Sequence, residues 1–213
     1  MAVNTGTSTA PGGGAPMLQS FDLFPTRVWQ GQLAALQPHF GPWIRWVFAL
    51  RAEQPTSAGR TNRSGWNSTD MSVLERPMLA PLREAVMLAC TQALAEMGLG
   101  KQPFTLQSWI NLHEHGGFNF LHMHEGSMLS GSFYLKVPPG SGPLVFRDPR
   151  AGVLHSAVKG PVPNGHCDIE LTPSEGLLVL FPCWMEHYVE PHEGNEPRIC
   201  IAFNANSPTP ASA

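Results

Sequence analysis

Nine histidines in a chain of 213 residues, and above all the spacing of a few of them, suggest what chemistry the sequence can do. His122 and His124 stand two apart, just before the strand-like run SMLSGSFYL. On an extended backbone such positions project to one face, with alpha carbons about 7 Å apart. Their imidazoles can therefore take adjacent positions on one metal ion. His187 follows the apolar run GLLVLFP, and Arg198 opens RICIAFN eleven residues later. An arginine turned into a barrel interior needs an anion, and its fork grips a carboxylate through two parallel hydrogen bonds. On an exposed edge the same arginine would pair with Glu186, Glu193 or Glu196.

The elements that position these residues are read from periodicity. From Phe104 onward the period is two: Leu106, Ile110 and Leu112 alternate with polar or larger neighbours, and Phe133, Leu135 and Val137 alternate with Ser132, Tyr134 and Lys136. PLVFRD, CDIELT, GLLVLFP and RICIAFN follow, each set off by turn residues. In the last of these, Ile199, Ile201 and Phe203 share one face, and Arg198, Cys200, Ala202 and Asn204 the other. Seven or so short strands with little helix between them predict an antiparallel sandwich or barrel, since parallel pairs need crossover helices. Before them, Pro42 predicts the start of a helix carrying Trp43, Ile44, Val47, Phe48 and Arg51. Pro81 opens a second, with Leu82, Val86, Ala89, Ala93 and Met97 on one face and Gly98 as its stop. RTNRSGWNSTD between the helices reads as loop. The expected organisation is a tail over 1–16, a helical segment over 17–101, a β core over 102–206 and a tail over 207–213.

Composition narrows the function classes. Charged residues make up 14%, against about 25% in a typical soluble domain. Glycine and proline together are about a fifth of the chain, which favours turns and short strands over long charged helices. A net charge of −3 argues against a general binder of phosphate backbones, so no nucleic acid is expected. No apolar run approaches the length of a membrane span, and the N-terminus lacks the basic start and apolar stretch of a secretory signal. Cys90, Cys167, Cys183 and Cys200 form no CxxC pair and read as free thiols of a cytoplasmic protein.

With these pieces in order, the chain resembles the 2-oxoglutarate- and Fe(II)-dependent oxygenases, more narrowly their branch of unassigned substrate found in bacteria and phage. The resemblance runs from about Phe21 to Asn204. It rests on SGWNSTD, SWINLHEHGGFNFLHMHEGSMLSGSFYL, FRDPR, LVLFPCWMEHYVEP and RICIAFN. It implies a mainly β fold with N-terminal helices, the double-stranded β-helix or jelly roll of a cupin-like barrel. It also implies hydroxylation of an unidentified small molecule or peptide by O2, with 2-oxoglutarate converted to succinate and CO2. The family's metal triad falls on His122, His124 and His187, and its cosubstrate arginine on Arg198. Cys200 stands where a hydroxyl donor is frequent, Tyr134 is in reach of the cosubstrate carboxylate, and Asn111 and Trp109 sit on a strand lining the pocket. No catalytic residue is expected beyond the metal centre.

At one position the chain departs from the family pattern. A carboxylate ligand is usual where this chain has His124, so the site would be three neutral imidazoles, a set that suits Fe(II) but also Zn, Cu or Ni. Glu125, next door, points the other way. His113 and His115 form a second His-x-His in a glycine-rich stretch and read as solvated or substrate-facing; His113 and Trp184 are weaker pocket candidates with Trp109. FRDPR reads as an ion-pair turn. Two other readings stand beside the first. One is a cupin-like three-histidine dioxygenase or hydrolase that uses no 2-oxoglutarate; the other is a non-catalytic metal- or ligand-binding jelly roll. Exposed barrel edges and the helical arm are compatible with a homodimer.

Overall fold

The structure is a computed structural model that describes residues 18–100, 102–162 and 164–208. The tail expected over 1–16, and all of the C-terminal tail except 207 and 208, lie outside the described residues. Among the described residues nine strands, β1 (Trp29–Gln32), β2 (Asn62–Asn67), β3 (Thr105–His122), β4 (Ser127–Lys136), β5 (Leu144–Phe146), β6 (Ile169–Leu171), β7 (Leu177–Pro182), β8 (His187–Val189) and β9 (Arg198–Asn206), form one antiparallel sheet. Their order is β1-β7-β4-β9-β3-β8-β5-β6, with β2 on β3 as well. The 18-residue β3 makes the fold turn. Its first half pairs with β9, from Thr105 opposite Asn206 to His113 opposite Arg198. Its second half pairs with β8, ending with His122 opposite His187.

Two helices, α1 (Gln37–Glu53) and α2 (Ala80–Glu96), cover one face of this sheet. The period of two decides what each strand offers them. Phe133, Leu178, Leu180, Ile199, Ile201 and Phe203 join Trp43, Val47, Leu82 and Val86 in the larger core. The alternate residues Tyr134, Val179, Phe181 and Cys200 face a second, smaller cluster. Phe40 and Trp43 meet Phe133 edge-on at 5.7 and 6.4 Å, a preferred geometry for aromatic quadrupoles. Trp43 also donates its indole N–H to the Met78 carbonyl at 2.9 Å, so its polar atom is not lost in the core.

Four expectations need correction. Pro42 lies inside α1; the helix starts at Gln37 after a 3-10 turn, and Pro38 takes the N-terminal place where a missing N–H costs nothing. On α2, Cys90 and Leu94 are buried where Met97 was expected, and Met97 caps the helix half-exposed. The stretch read as loop contains β2, whose polar residues pair with the free edge of β3. Gly65 allows that approach, because a Cβ there would sit 2.8 Å from the Leu112 carbonyl. The glycine-rich stretch after His113 is likewise strand, since backbone pairing with β2 and β8 holds it without an apolar pattern. No helix among the described residues is long and apolar enough to cross a membrane.

The packing makes a paired prediction. A Cβ on Gly131 in β4 would meet the Val179 carbonyl and the Phe203 ring at 2.5 Å, whereas one on Gly31 in β1 would meet nothing within 4 Å. In urea unfolding, Gly131→Ala should destabilise by about 1–3 kcal/mol. Gly31→Ala should be neutral or stabilising by up to about 1 kcal/mol, through a less flexible unfolded chain.

Candidate functional site

The inner face of the sheet encloses a cavity of about 220 Å3. The cross-strand register delivers two of its histidines. His122 ends β3 and His187 begins β8 directly opposite, while a register shift between Asn119 and His122 sets their approach. His124 follows in the turn, held by its backbone N–H donating to the Cys183 carbonyl at 2.9 Å. One ring nitrogen from each of the three lies within 4.8 Å of the others, and the ring centroids are 4.3 to 5.2 Å apart.

Two tautomers are fixed by carbonyls, which can only accept. His122 donates from Nδ1 to the Phe120 carbonyl at 2.6 Å, and His187 donates from Nδ1 to the Met185 carbonyl at 2.9 Å. Each is left with a lone pair on Nε2, the orientation that a backbone acceptor imposes on metal-binding histidines. Burial is the main reason these imidazoles resist protonation: it brings the pKa of His124 to about 4 and that of His187 to about 3, and lowers that of His122. All three are therefore neutral at pH 7, as ligation requires. Glu125 is exposed and outside the cluster.

Arg198 is 2% exposed at the head of β9. One terminal nitrogen donates to Nδ1 of His113 at 3.1 Å, and the guanidinium carbon lies 5.2 Å from the centre of the Tyr134 ring. Its Nε has no partner. The glutamates that could have drawn it outward are otherwise placed. Glu186 pairs with Arg147, Glu196 pairs with Lys136, and the backbone carbonyl of Glu193 faces His115. A buried cation without an anion costs several kcal/mol, so the pocket has a strong demand for one. Tyr134 stays a neutral donor beside it, because burial pushes its phenol up to about 12 against the pull of Arg198. Asn111 donates to the Cys200 sulfur at 3.6 Å and accepts from Asn67, so this amide chain lines the same cavity.

His113 was the residue whose place the sequence hid. Its position in β3, between Gly65 and Arg198 in register, buries it against the arginine, with its pKa lowered to about 3 first by burial and then by the Arg198 charge. Arginine only donates, so Nδ1 must accept and the proton must sit on Nε2, which is unpartnered. Trp109 lines the cavity, 5.7 Å from His124. His115 is exposed, and Trp184 is half-exposed and outside the cavity lining. Arg60 at the cavity wall was not anticipated; RTNRSGWNSTD carried no periodic signal to mark it. The FRDPR segment forms its ion-pair turn, with Arg150 on Asp148 at 2.7 Å.

The donor set fits a divalent metal, and the orphaned guanidinium nitrogen fits a carboxylate of 2-oxoglutarate. His187→Ala should abolish stoichiometric metal binding and Glu125→Ala should leave it intact, as read by metal analysis after dialysis. Acid should also weaken the metal-free fold. The unfolded chain protonates histidine near 6.5, while folded His113 and His187 do so near 3. Between those values the unfolded state binds more protons, so stability is lost as pH falls through the window. His113→Gln should flatten that slope in urea unfolding at stepped pH.

Residues 107–204 match the family described as "Putative 2OG-Fe(II) oxygenase". No curated protein sequence matches the chain significantly. Among solved structures, a prolyl-4-hydroxylase from Pseudomonas putida aligns with a TM-score of 0.61 at 16% identity, covering 86% of this chain and 94% of that one. The 2-oxoglutarate-dependent epimerase SnoN of nogalamycin biosynthesis aligns at 0.62 and 16%, covering 85% and 77%. HygX from Streptomyces hygroscopicus, solved with nickel, 2-oxoglutarate and hygromycin B, aligns at 0.59 and 12%, covering 85% and 83%. These likenesses establish the jelly-roll fold. The family match runs from β3 to β9, the strands that carry the histidine cluster and the buried arginine, so the stretch 107–204 is the part of the chain that resembles the 2-oxoglutarate- and Fe(II)-dependent oxygenases.

Proposed function

We propose that this protein is an oxygenase that hydroxylates a substrate at the mouth of the cavity, with His122, His124 and His187 holding Fe(II) and Arg198 holding the distal carboxylate of 2-oxoglutarate. When bound, the metal and cosubstrate supply O2 activation coupled to oxidative decarboxylation, with succinate and CO2 released. The chain supplies position and a dry wall. Burial keeps the three imidazoles neutral, and the carbonyls of Phe120 and Met185 fix which nitrogen of His122 and His187 faces the cavity. His113 aims the guanidinium by accepting from it, and Tyr134 adds a neutral hydroxyl beside it. Leu144, Phe181 and Val189 close the apolar side against water. Cys200 is a weak hydrogen-bonding group at a position suited to a hydroxyl, so more of the grip on the carboxylate falls to Arg198 and Tyr134.

The observation that carries this reading is the buried Arg198, which has no carboxylate among the described residues and an unpartnered Nε. An all-histidine site that used no oxo acid would have no need of a buried guanidinium, which disfavours the 2-oxoglutarate-free alternatives. Succinate release from 2-oxoglutarate with added Fe(II) and ascorbate tests the activity. Arg198→Ala should raise the 2-oxoglutarate concentration needed by orders of magnitude with metal content unchanged. An unaltered cosubstrate requirement would remove Arg198 from that role.

A further inference from the structure

Besides Arg198, one other guanidinium among the described residues lines the cavity. Arg60 is exposed at the rim, with its guanidinium carbon 5.5 Å from the centre of the Trp109 ring. A stack of that kind orients a cation without neutralising it. Among the described residues, the only side-chain hydrogen-bond acceptor it meets is the Met71 thioether, a weak one, and it pairs with no carboxylate. The loop carrying it is tied on both sides. Ala58 donates to the Asn67 carbonyl at 3.1 Å and Asn67 donates to Ser57 Oγ at 2.9 Å. On the far side Thr61 accepts from the Phe120 backbone and from the Asn119 side chain, each at 3.0 Å. Arg60 is thus a positioned charge rather than a loose surface one.

The charge balance of the cavity gives this charge a use. Among the described residues no aspartate or glutamate lines the cavity, and histidine at 124 leaves it one negative charge short of a site with a carboxylate ligand. With the distal carboxylate of the cosubstrate matched by Arg198, the Arg60 guanidinium is left without an anion. At about 220 Å3 the cavity is also smaller than the roughly 300–1,000 Å3 of pockets that enclose a drug-sized ligand. The substrate must therefore meet the rim, where Arg60, Met71, Trp109 and Met123 stand. We infer that the substrate is an anionic small molecule whose carboxylate or phosphate is gripped by Arg60 over the face of Trp109, beside His124. This rests on the reading of the metal and cosubstrate site given above.

The test uses protein loaded with Zn(II) and saturating 2-oxoglutarate, which occupies Arg198 without turnover. Ligand-observed NMR compares N-acetylleucine, N-acetylphenylalanine and benzoate with their amides, and phenyl phosphate with phenol. At least one oxyanion should bind tenfold or more tightly than its neutral partner. Arg60→Gln should erase the difference, and Arg60→Lys should keep part of it. If no oxyanion outbinds its partner, or if the preference survives in Arg60→Gln, the inference is wrong. Calorimetric binding of 2-oxoglutarate to the same preparation tests the underlying reading separately: an Arg60-dependent preference for anions without cosubstrate binding would sink that reading, and with it the anion's identity as the oxygenase substrate, and leave Arg60 as an anion site only.

Discussion

The structure is organised around a guanidinium that it buries without an anion. Arg198 heads β9, and every residue from there to Ala205 is buried. β9 is flanked on both sides, by β3 and β4, along almost its whole length. The cost of enclosing that charge is met by the strand's other face, where Ile199, Ile201, Phe203 and Ala205 pack into the larger core beneath the two helices. Sheet centre and ligand site are thus opposite faces of the same strand. A change that loosens the packing of β9 should disturb the site even without touching it.

The same alternation explains how much was legible beforehand. β7 is apolar throughout, but on β4 and β9 a period of two separates apolar from polar residues, and the two faces could be assigned from letters alone. It also placed His122 and His187, because each borders an apolar run. β2 and the second half of β3 were not legible. Their backbone groups are satisfied by neighbouring strands, whatever their side chains, so polar and glycine-rich sequence is compatible with strand there. His113 was hidden for that reason: nothing in its neighbours says that β3 continues through it to face Arg198. Pro42 misled in another way, since Pro38, four residues earlier, suits the helix start equally well and a 3-10 turn leads into it.

Histidine at 124 belongs with the rest of the cavity. A carboxylate there would stand in a cluster already removed from water and, before metal arrived, would be a buried anion seeking a partner. Neutral imidazoles avoid that problem. Burial keeps them unprotonated, backbone carbonyls satisfy their spare N–H groups on His122 and His187, and Trp109 lies beside His124. The protein then holds only positive and neutral groups around the site. His113 obeys the same rule: it pairs with Arg198 as a neutral acceptor rather than as a counter-ion.

That choice affects both ends of the cavity. No acidic side chain among the described residues lines the cavity, so among them a negative charge must be brought in by something that binds. At the inner end the demand is strict, because Arg198 is fully enclosed and its Nε has nothing else to bond. At the rim it is softer, because Arg60 can be partly hydrated and is steadied by Trp109. A graded arrangement of this kind favours anions that enter past the rim and settle at the deeper arginine. Once that deeper charge is matched, Arg60 is the one cation among the described lining residues with no carboxylate partner.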